Sequence, residues 1–172
     1  MPEKQDDTII TLLSNPVSRD RGFTLMMDTY KERIYWHIRR LVITHEDAED
    51  ILQEAFINAY RYAGSFNGQS KMYTWLYRIA TNECIRWMKK RKTHKPDKTG
   101  PLMVKRENDG YVPLDETEII RKFQQAILQL PERQRMVFNL RYYDDLNYEE
   151  IAQILDSSVN ALKTNYHYAT KK

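Results

Sequence analysis

The chain has 172 residues, with 27 Lys and Arg against 24 Asp and Glu for a formal net charge of +3, a length that accommodates one ordinary domain or two small ones. One cysteine, Cys84, excludes a disulfide framework and any Cys-rich zinc site. A mean hydropathy of −0.73 without a long apolar run excludes a membrane-spanning helix. The polar, acidic start MPEKQDD lacks the pattern of a secretory signal, and five Gly and six Pro argue against a turn-rich β-protein or low-complexity disorder. An intracellular, cytoplasmic protein is expected. The net charge also conceals three blocks: residues 1–60 hold 7 basic and 11 acidic side chains (−4), residues 61–106 hold 12 and 2 (+10), and residues 107–172 hold 8 and 11 (−3). A basic block between two acidic flanks points to a polyanionic partner.

Helical spacing dominates and no convincing period-two run is present. Residues 1–19 read as an N-terminal extension. Phe23, Met26, Met27, Tyr30, Ile34, Ile38 and Leu41 then recur at steps of three and four, one face of a long helix. Thr44 with Asp47 resembles a capping box and opens a second helix carrying Ala48, Ile51, Leu52, Ala55, Phe56 and Ala59. Gly64, Gly68 and the segment Phe66 to Ser70 end it. A third helix follows through Met72, Leu76, Ile79 and Ala80 and continues to Trp87 and Met88. From Thr93 to Pro113 the chain has three prolines, two glycines and no apolar period, which predicts a flexible linker.

Beyond the linker, Ile119, Ile120, Phe123, Ala126, Ile127 and Leu130 mark a fourth helix. Pro131 suits the first position of the next, where its missing N–H costs nothing, and Met136, Val137 and Leu140 carry that helix toward Asp144 and Asp145. Asn147 with Glu150 is a second capping-box-like start, for a short helix with Ile151, Ala152, Ile154 and Leu155. After a turn at Asp156, Ser157 and Ser158, with one of the serines as cap, comes the last helix. The expected fold is all-α, with small helical domains over residues 20–92 and 114–172 joined by a linker over 93–113.

Residues 147–172 have the spacing of a helix-turn-helix. Val159, Leu162, Tyr166 and Ala169 form its inward stripe, and Asn160, Lys163, Thr164, His167 and Lys171 lie opposite. A helical hairpin with a solvated face would share that pattern, but no acid follows Asp156, which favours DNA. The run Arg86, Lys89, Lys90, Arg91, Lys92 and Lys95 exceeds what the dipole of a helix C-terminus attracts. Six phosphate contacts would give a log–log salt slope of about −5. Phe66, Tyr73, Trp75 and Tyr77 lie beside the loop, where flat side chains suit unstacked bases. Trp75, next to Leu76, reads as core, and Asn67, Gln69 and Ser70 are better readers of an extruded base. Glu46, Asp47, Glu49, Asp50 and Glu54 share one short helix whose N-terminus favours acids. Without a nucleophile, a Gly-rich phosphate loop or a third ligand, they suit a basic protein partner better than catalysis. No catalytic residue, metal site or cofactor is expected.

The segments DAEDILQEAF and TWLYRIATNECIRW, followed by LPERQRMVFNLRYYDDLNYEEIAQIL and SSVNALKTNYHYA, resemble regions 2 and 4 of bacterial RNA polymerase sigma factors of the small two-domain extracytoplasmic-function group. The resemblance covers most of residues 20–92 and 114–172. It implies a region 2-like bundle and a region 4-like helix-turn-helix, with core RNA polymerase (β and β′ subunits) and promoter DNA as partners, no direct membrane association, and an anti-sigma protein as a partner that many relatives have. Asp50, Gln53 and Glu54 match the helix that docks on β′. Phe66, Asn67, Gly68, Gln69 and Ser70 match the loop that captures a flipped −10 base, and Arg78, Asn82, Arg86 and Lys89 match the helix that holds −10 DNA. Asn160, Lys163, Thr164, His167 and Lys171 fall on the helix that enters the major groove at the −35 element. Asp156 and Asn160 depart from the glycines common in the group. A stand-alone helix-turn-helix repressor would need an effector or receiver domain, and residues 20–92 show no α/β pattern. A nucleic-acid enzyme would need the missing metal and acid–base set.

Overall fold

The computed structural model describes residues 2–42, 44–94 and 118–172, without the side chains of residues 2, 3, 94, 118 and 119. Among the described residues the secondary structure is helical, with no strand: α1 (Pro2–Ser14), α2 (Arg19–Leu41), α3 (His45–Tyr62), a 3-10 turn (Ala63–Ser65), α4 (Met72–His94), α5 (Glu118–Leu128), α6 (Glu132–Tyr142), α7 (Tyr148–Leu155) and α8 (Val159–Lys171). Two compact units result, the first built on α1–α3 and α4 to Lys89 and the second on α5–α8, with the last residues of α4 grouped with the second and Gln153–Leu155 of α7 with the first. The third predicted helix runs past Met88 to His94, into the first residues assigned to the linker. The rest of that linker to Pro113, and Lys95 with it, lies outside the described residues.

In the first unit the predicted stripe of α2 is buried at Met26, Tyr30, Ile34, Ile38 and Leu41. Each fully buried side chain of this size is worth about 1.5–3 kcal/mol of transfer free energy. On α3, Thr44 is the N-cap, its Oγ1 accepting the Asp47 N–H at 3.1 Å, and Ala48, Ile51, Leu52, Ala55, Phe56 and Ala59 are buried as their spacing predicts. Phe23 of α2 meets α3 edge-on at Phe56 (6.2 Å) and Tyr60 (5.1 Å). A polar contact joins α2 to α4: His37 Nε2 and Thr81 Oγ1, both buried, share a hydrogen bond of 2.8 Å. The His37 ring lies 4.7 Å from that of Tyr77, whose hydroxyl accepts from Arg33 Nε at 3.1 Å.

The N-terminal extension contains α1, which lies against α2. Ile9 and Leu13, one turn apart, are buried. The helices meet so closely at Gly22 that a Cβ there would stand 2.8 Å from Leu12 Cβ and 2.9 Å from Leu13 N. The Tyr30 hydroxyl donates to Asp6, and Gln5 Nε2 donates to Thr29 Oγ1 at 2.9 Å. Burial first, and then the Asp6 hydrogen bond, push the Tyr30 phenol well above its ordinary range.

In the second unit Pro131 is the N-cap of α6 rather than its first helical residue. Its φ of −51° suits either place. Ile127, Leu130, Phe138 and Ala169 form a buried cluster with Tyr166 against it. Met136, Val137, Leu140, Leu146, Ile151 and Leu162 are also buried.

Two outcomes are expected. Gly22→Val should destabilise the fold by about 1–3 kcal/mol through overpacking, read by urea unfolding, with the largest loss of amide protection in α1. The buried Cys84 thiol is pushed up to about 12 by burial, and further by the Glu83 charge. The native state therefore keeps its proton where the unfolded thiol, near pH 8.5, has lost it. The Cys84 contribution is intact below about pH 8.5 and declines as pH rises toward the folded value. Cys84→Ala should flatten that alkaline decline in unfolding free energy.

Candidate nucleic-acid interface

The turn between α7 and α8 decides which side of α8 faces outward. α7 starts with a complete capping box: Asn147 Oδ1 accepts the Glu150 N–H at 2.8 Å, and Glu150 Oε2 accepts the Asn147 N–H at 3.1 Å. It ends at Asp156 in the left-handed conformation, φ 49° and ψ 58°. That conformation costs an ordinary residue about 1–2 kcal/mol, and Asp and Asn bear it best after Gly. Ser158 caps α8 by accepting the Ala161 N–H at 3.2 Å. Leu162 and Ala169 of the predicted inward stripe are buried and Val159 and Tyr166 are half-buried, while Asn160, Lys163, Thr164, His167 and Lys171 are all exposed. The structure thus brings the five predicted contacts onto one face without an acid. Thr164 Oγ1 donates to the Asn160 carbonyl at 3.0 Å, so its hydroxyl meets a ligand mainly as an acceptor.

On α4, Arg78, Asn82, Arg86 and Lys89 follow one another at helical spacing and are all exposed. Arg86 is not a bare cation. Its Nη1 lies 2.9 Å from Glu83 Oε1, a buried carboxylate that also accepts from Asn58 Nδ2 at 2.7 Å. This pairing orients the guanidinium and offsets part of its charge. The loop before α4 has Gly68 at φ 72°, a value that favours glycine. Asn67 Oδ1 accepts the Gln69 N–H at 3.1 Å, an Asx-type turn. Asn67, Gly68 and Gln69 are exposed; Ser70 and Phe66 are half-buried, with Phe66 5.0 Å from the Trp75 ring. Tyr77, which its place in the chain groups with the loop aromatics, is instead fully buried and has no face to offer a base. Its place on the α2-facing side of α4 was not legible from its nearness to the loop.

On α3 the three predicted docking residues, Asp50, Gln53 and Glu54, are exposed. Asp50 and Gln53 line a groove of about 510 Å³ between α2 and α3, walled by Phe23, Met27, Phe56 and Ile57; Glu54 lies outside it. Lys31 and Arg61 line it together with Glu49 and Asp50, so an apolar floor has both signs of charge at its edge, which suits an apolar partner helix with mixed charges. Among the described residues no group of three or more His, Cys, Asp or Glu side chains could hold a metal, and no helix is long and apolar enough to cross a membrane.

Spacing did not reveal Tyr148, at the start of α7. Its ring lies 5.7 Å from Lys163 Nζ and 5.6 Å from Arg141 Cζ. The three residues come from three different helices, so no local pattern connects them.

Comparison with known proteins finds two family matches along the chain. Residues 26–94 match the family model for sigma-70 region 2, and residues 120–172 match that for sigma-70 region 4. The chain is 39% identical to the ECF RNA polymerase sigma factor SigW of Bacillus subtilis over 159 residues, 85% of this chain and 83% of that protein. It is 32% identical to the RNA polymerase sigma-H factor of Pseudomonas aeruginosa over 174 residues, 95% of this chain and 89% of that protein. The fold is similar to that of the sigma factor RpoE of Bartonella quintana, solved in complex with the anti-sigma factor NepR, with a TM-score of 0.72 at 24% identity over 88% of this chain and 93% of that one.

Asn147→Ala removes one half of the capping box and the acceptor for the Glu150 N–H. It should cost about 1 kcal/mol, measured by thermal unfolding, with the loss of protection concentrated in the first turn of α7.

Proposed function

The chain belongs to the ECF RNA polymerase sigma factors, which direct promoter-specific transcription initiation, and we propose that its two units divide that task between the −10 and −35 elements. The first share belongs to the helices α1–α4, the second to α5–α8, and the segment after His94 joins them. Asp50, Gln53 and Glu54 dock on the β′ subunit of core polymerase, with the apolar floor beside Asp50 and Gln53 receiving the partner helix. The loop Phe66 to Ser70 captures one extruded −10 base, and Arg78, Asn82, Arg86 and Lys89 follow the strand. Asn160, Lys163, Thr164, His167 and Lys171 read the −35 duplex in the major groove. The observation that carries this reading is the α8 face: five exposed polar or basic side chains without an acid, aimed by a left-handed turn at Asp156.

Energetics support dependence on a larger enzyme. Separating five or six base-pair steps costs roughly 7–8 kcal/mol at about 1.4 kcal/mol per step. Capturing one flipped base costs only a few kcal/mol, which a loop pocket can offset once polymerase holds the strands. The chain itself is a non-catalytic, cytoplasmic specificity subunit in this reading. An anti-sigma protein is a further partner, by analogy with the Bartonella quintana relative.

The test is transcription by core RNA polymerase supplied with this chain on a library of randomised promoters. Initiation confined to promoters sharing −10 and −35 elements is expected. Failure of the folded protein to support any initiation, or tight operator binding by the free chain alone, overturns the proposal. Glu54→Ala should weaken core binding by about 1–2 kcal/mol in a fluorescence titration while the thermal unfolding midpoint stays unchanged.

A further inference from the structure

Lys163 stands at the edge of the α8 face closest to α7. Its ammonium lies 5.7 Å from the centroid of the Tyr148 ring. That ring has an aromatic neighbour of its own. Tyr166 meets it edge-on at 6.4 Å and 78°, and Tyr166 in turn stacks on Phe138 at 5.9 Å and 16°. Phe138 belongs to the buried cluster with Ile127, Leu130 and Ala169. The aromatic series therefore runs from the core of the unit to the ammonium on its surface. Arg141, the second cation at the ring, is held separately: its Nη1 lies 3.4 Å from Asp145 Oδ1 and donates to the Leu146 carbonyl at 3.2 Å.

We propose that Tyr148 is a positioning residue for DNA recognition, holding the Lys163 ammonium above its ring in the place from which Lys163 meets the −35 duplex. The proposal rests on the reading of Lys163 as a DNA contact. A lysine on a solvated helix samples many rotamers, and ordering it on binding opposes association. The negative face of an aromatic ring attracts the ammonium before DNA arrives. The attraction leaves the ammonium donors that point away from the ring available to a base edge or a phosphate. Arg141, whose Nη1 is tied to Asp145 and the Leu146 carbonyl, is a second cation at the same ring, anchored to its own helix end rather than to α8.

The experiment uses the full chain bound to core polymerase, on a duplex promoter recovered from the randomised library, with equilibrium binding as the readout. Lys163→Ala should weaken binding. Tyr148→Leu should weaken it about two- to five-fold, the range of an exposed cation–π contact, and Tyr148→Phe should retain the wild-type affinity. In the Lys163→Ala background, Tyr148→Leu should add nothing. Full additivity there would make Tyr148 a merely structural residue and overturn the inference while leaving the DNA contact standing. Lys163→Ala without effect would overturn that contact and the inference together. Replacing Tyr148 with ring-pentafluorinated phenylalanine provides the control for folding, since it keeps the shape and reverses the charge of the ring face. It should match the leucine variant, and wild-type affinity with that residue would also overturn the proposal.

Discussion

α2 is the element against which the rest of the first unit is placed, and its three neighbours approach it by different means. α1 comes close because Gly22 presents no Cβ, leaving room for Leu12 and the backbone of Leu13. α3 is held through aromatic edges, with Phe23 against Phe56 and Tyr60. α4 is held through a buried hydrogen bond between His37 and Thr81. A buried polar pair of this kind tolerates little sliding, since displacement leaves donor and acceptor without water or each other. With the inward faces of α2, α3 and α4 committed in this way, their outward residues have defined places. The groove with Asp50 and Gln53 forms between α2 and α3, and Arg78, Asn82, Arg86 and Lys89 lie exposed along α4.

The second unit depends on a change of chain direction rather than on a central helix. Asp156 adopts the left-handed conformation, and capping side chains satisfy N–H groups at the starts of α7 and α8. Satisfied ends allow a helix as short as Tyr148–Leu155 to persist, because an isolated segment of that length is unstable in water. Tyr166 and Phe138 then join α8 to the core through stacked rings. Burial of one side of α8 against that core leaves its opposite side, free of acids, to solvent.

Much of this was legible in the sequence because it depends on local rules. The stripes of α2 and α3, the Thr44 and Asn147 caps, and the outward set on α8 follow from helical periodicity and capping geometry. The misses share a different origin. α1 gives no periodic signal because its first turns are polar and, among its described side chains, only Ile9 and Leu13 are buried. Tyr77 was grouped with the loop aromatics by position in the chain, whereas its face of α4 is turned to His37 and Arg33. Arg86 counted as one of six cations, yet buried Glu83 accompanies it. Pro131 was displaced by a single residue, within the play that a fixed φ near −51° allows.

The amino-acid sequence by itself determined the helical class, the order of the elements, the uneven charge and the outward sets of polar residues on α3, α4 and α8, since each rests on spacing within one or two turns. The tertiary structure alone decided which of those residues are available and what stands behind them. It turned Tyr77 inward, set Glu83 beside Arg86, brought α1 onto Gly22 and placed Lys163 over Tyr148. The physical reason is the same in each case. These contacts join residues on different helices or on opposite sides of one, and their energies depend on distances and burial that exist only once the helices have met.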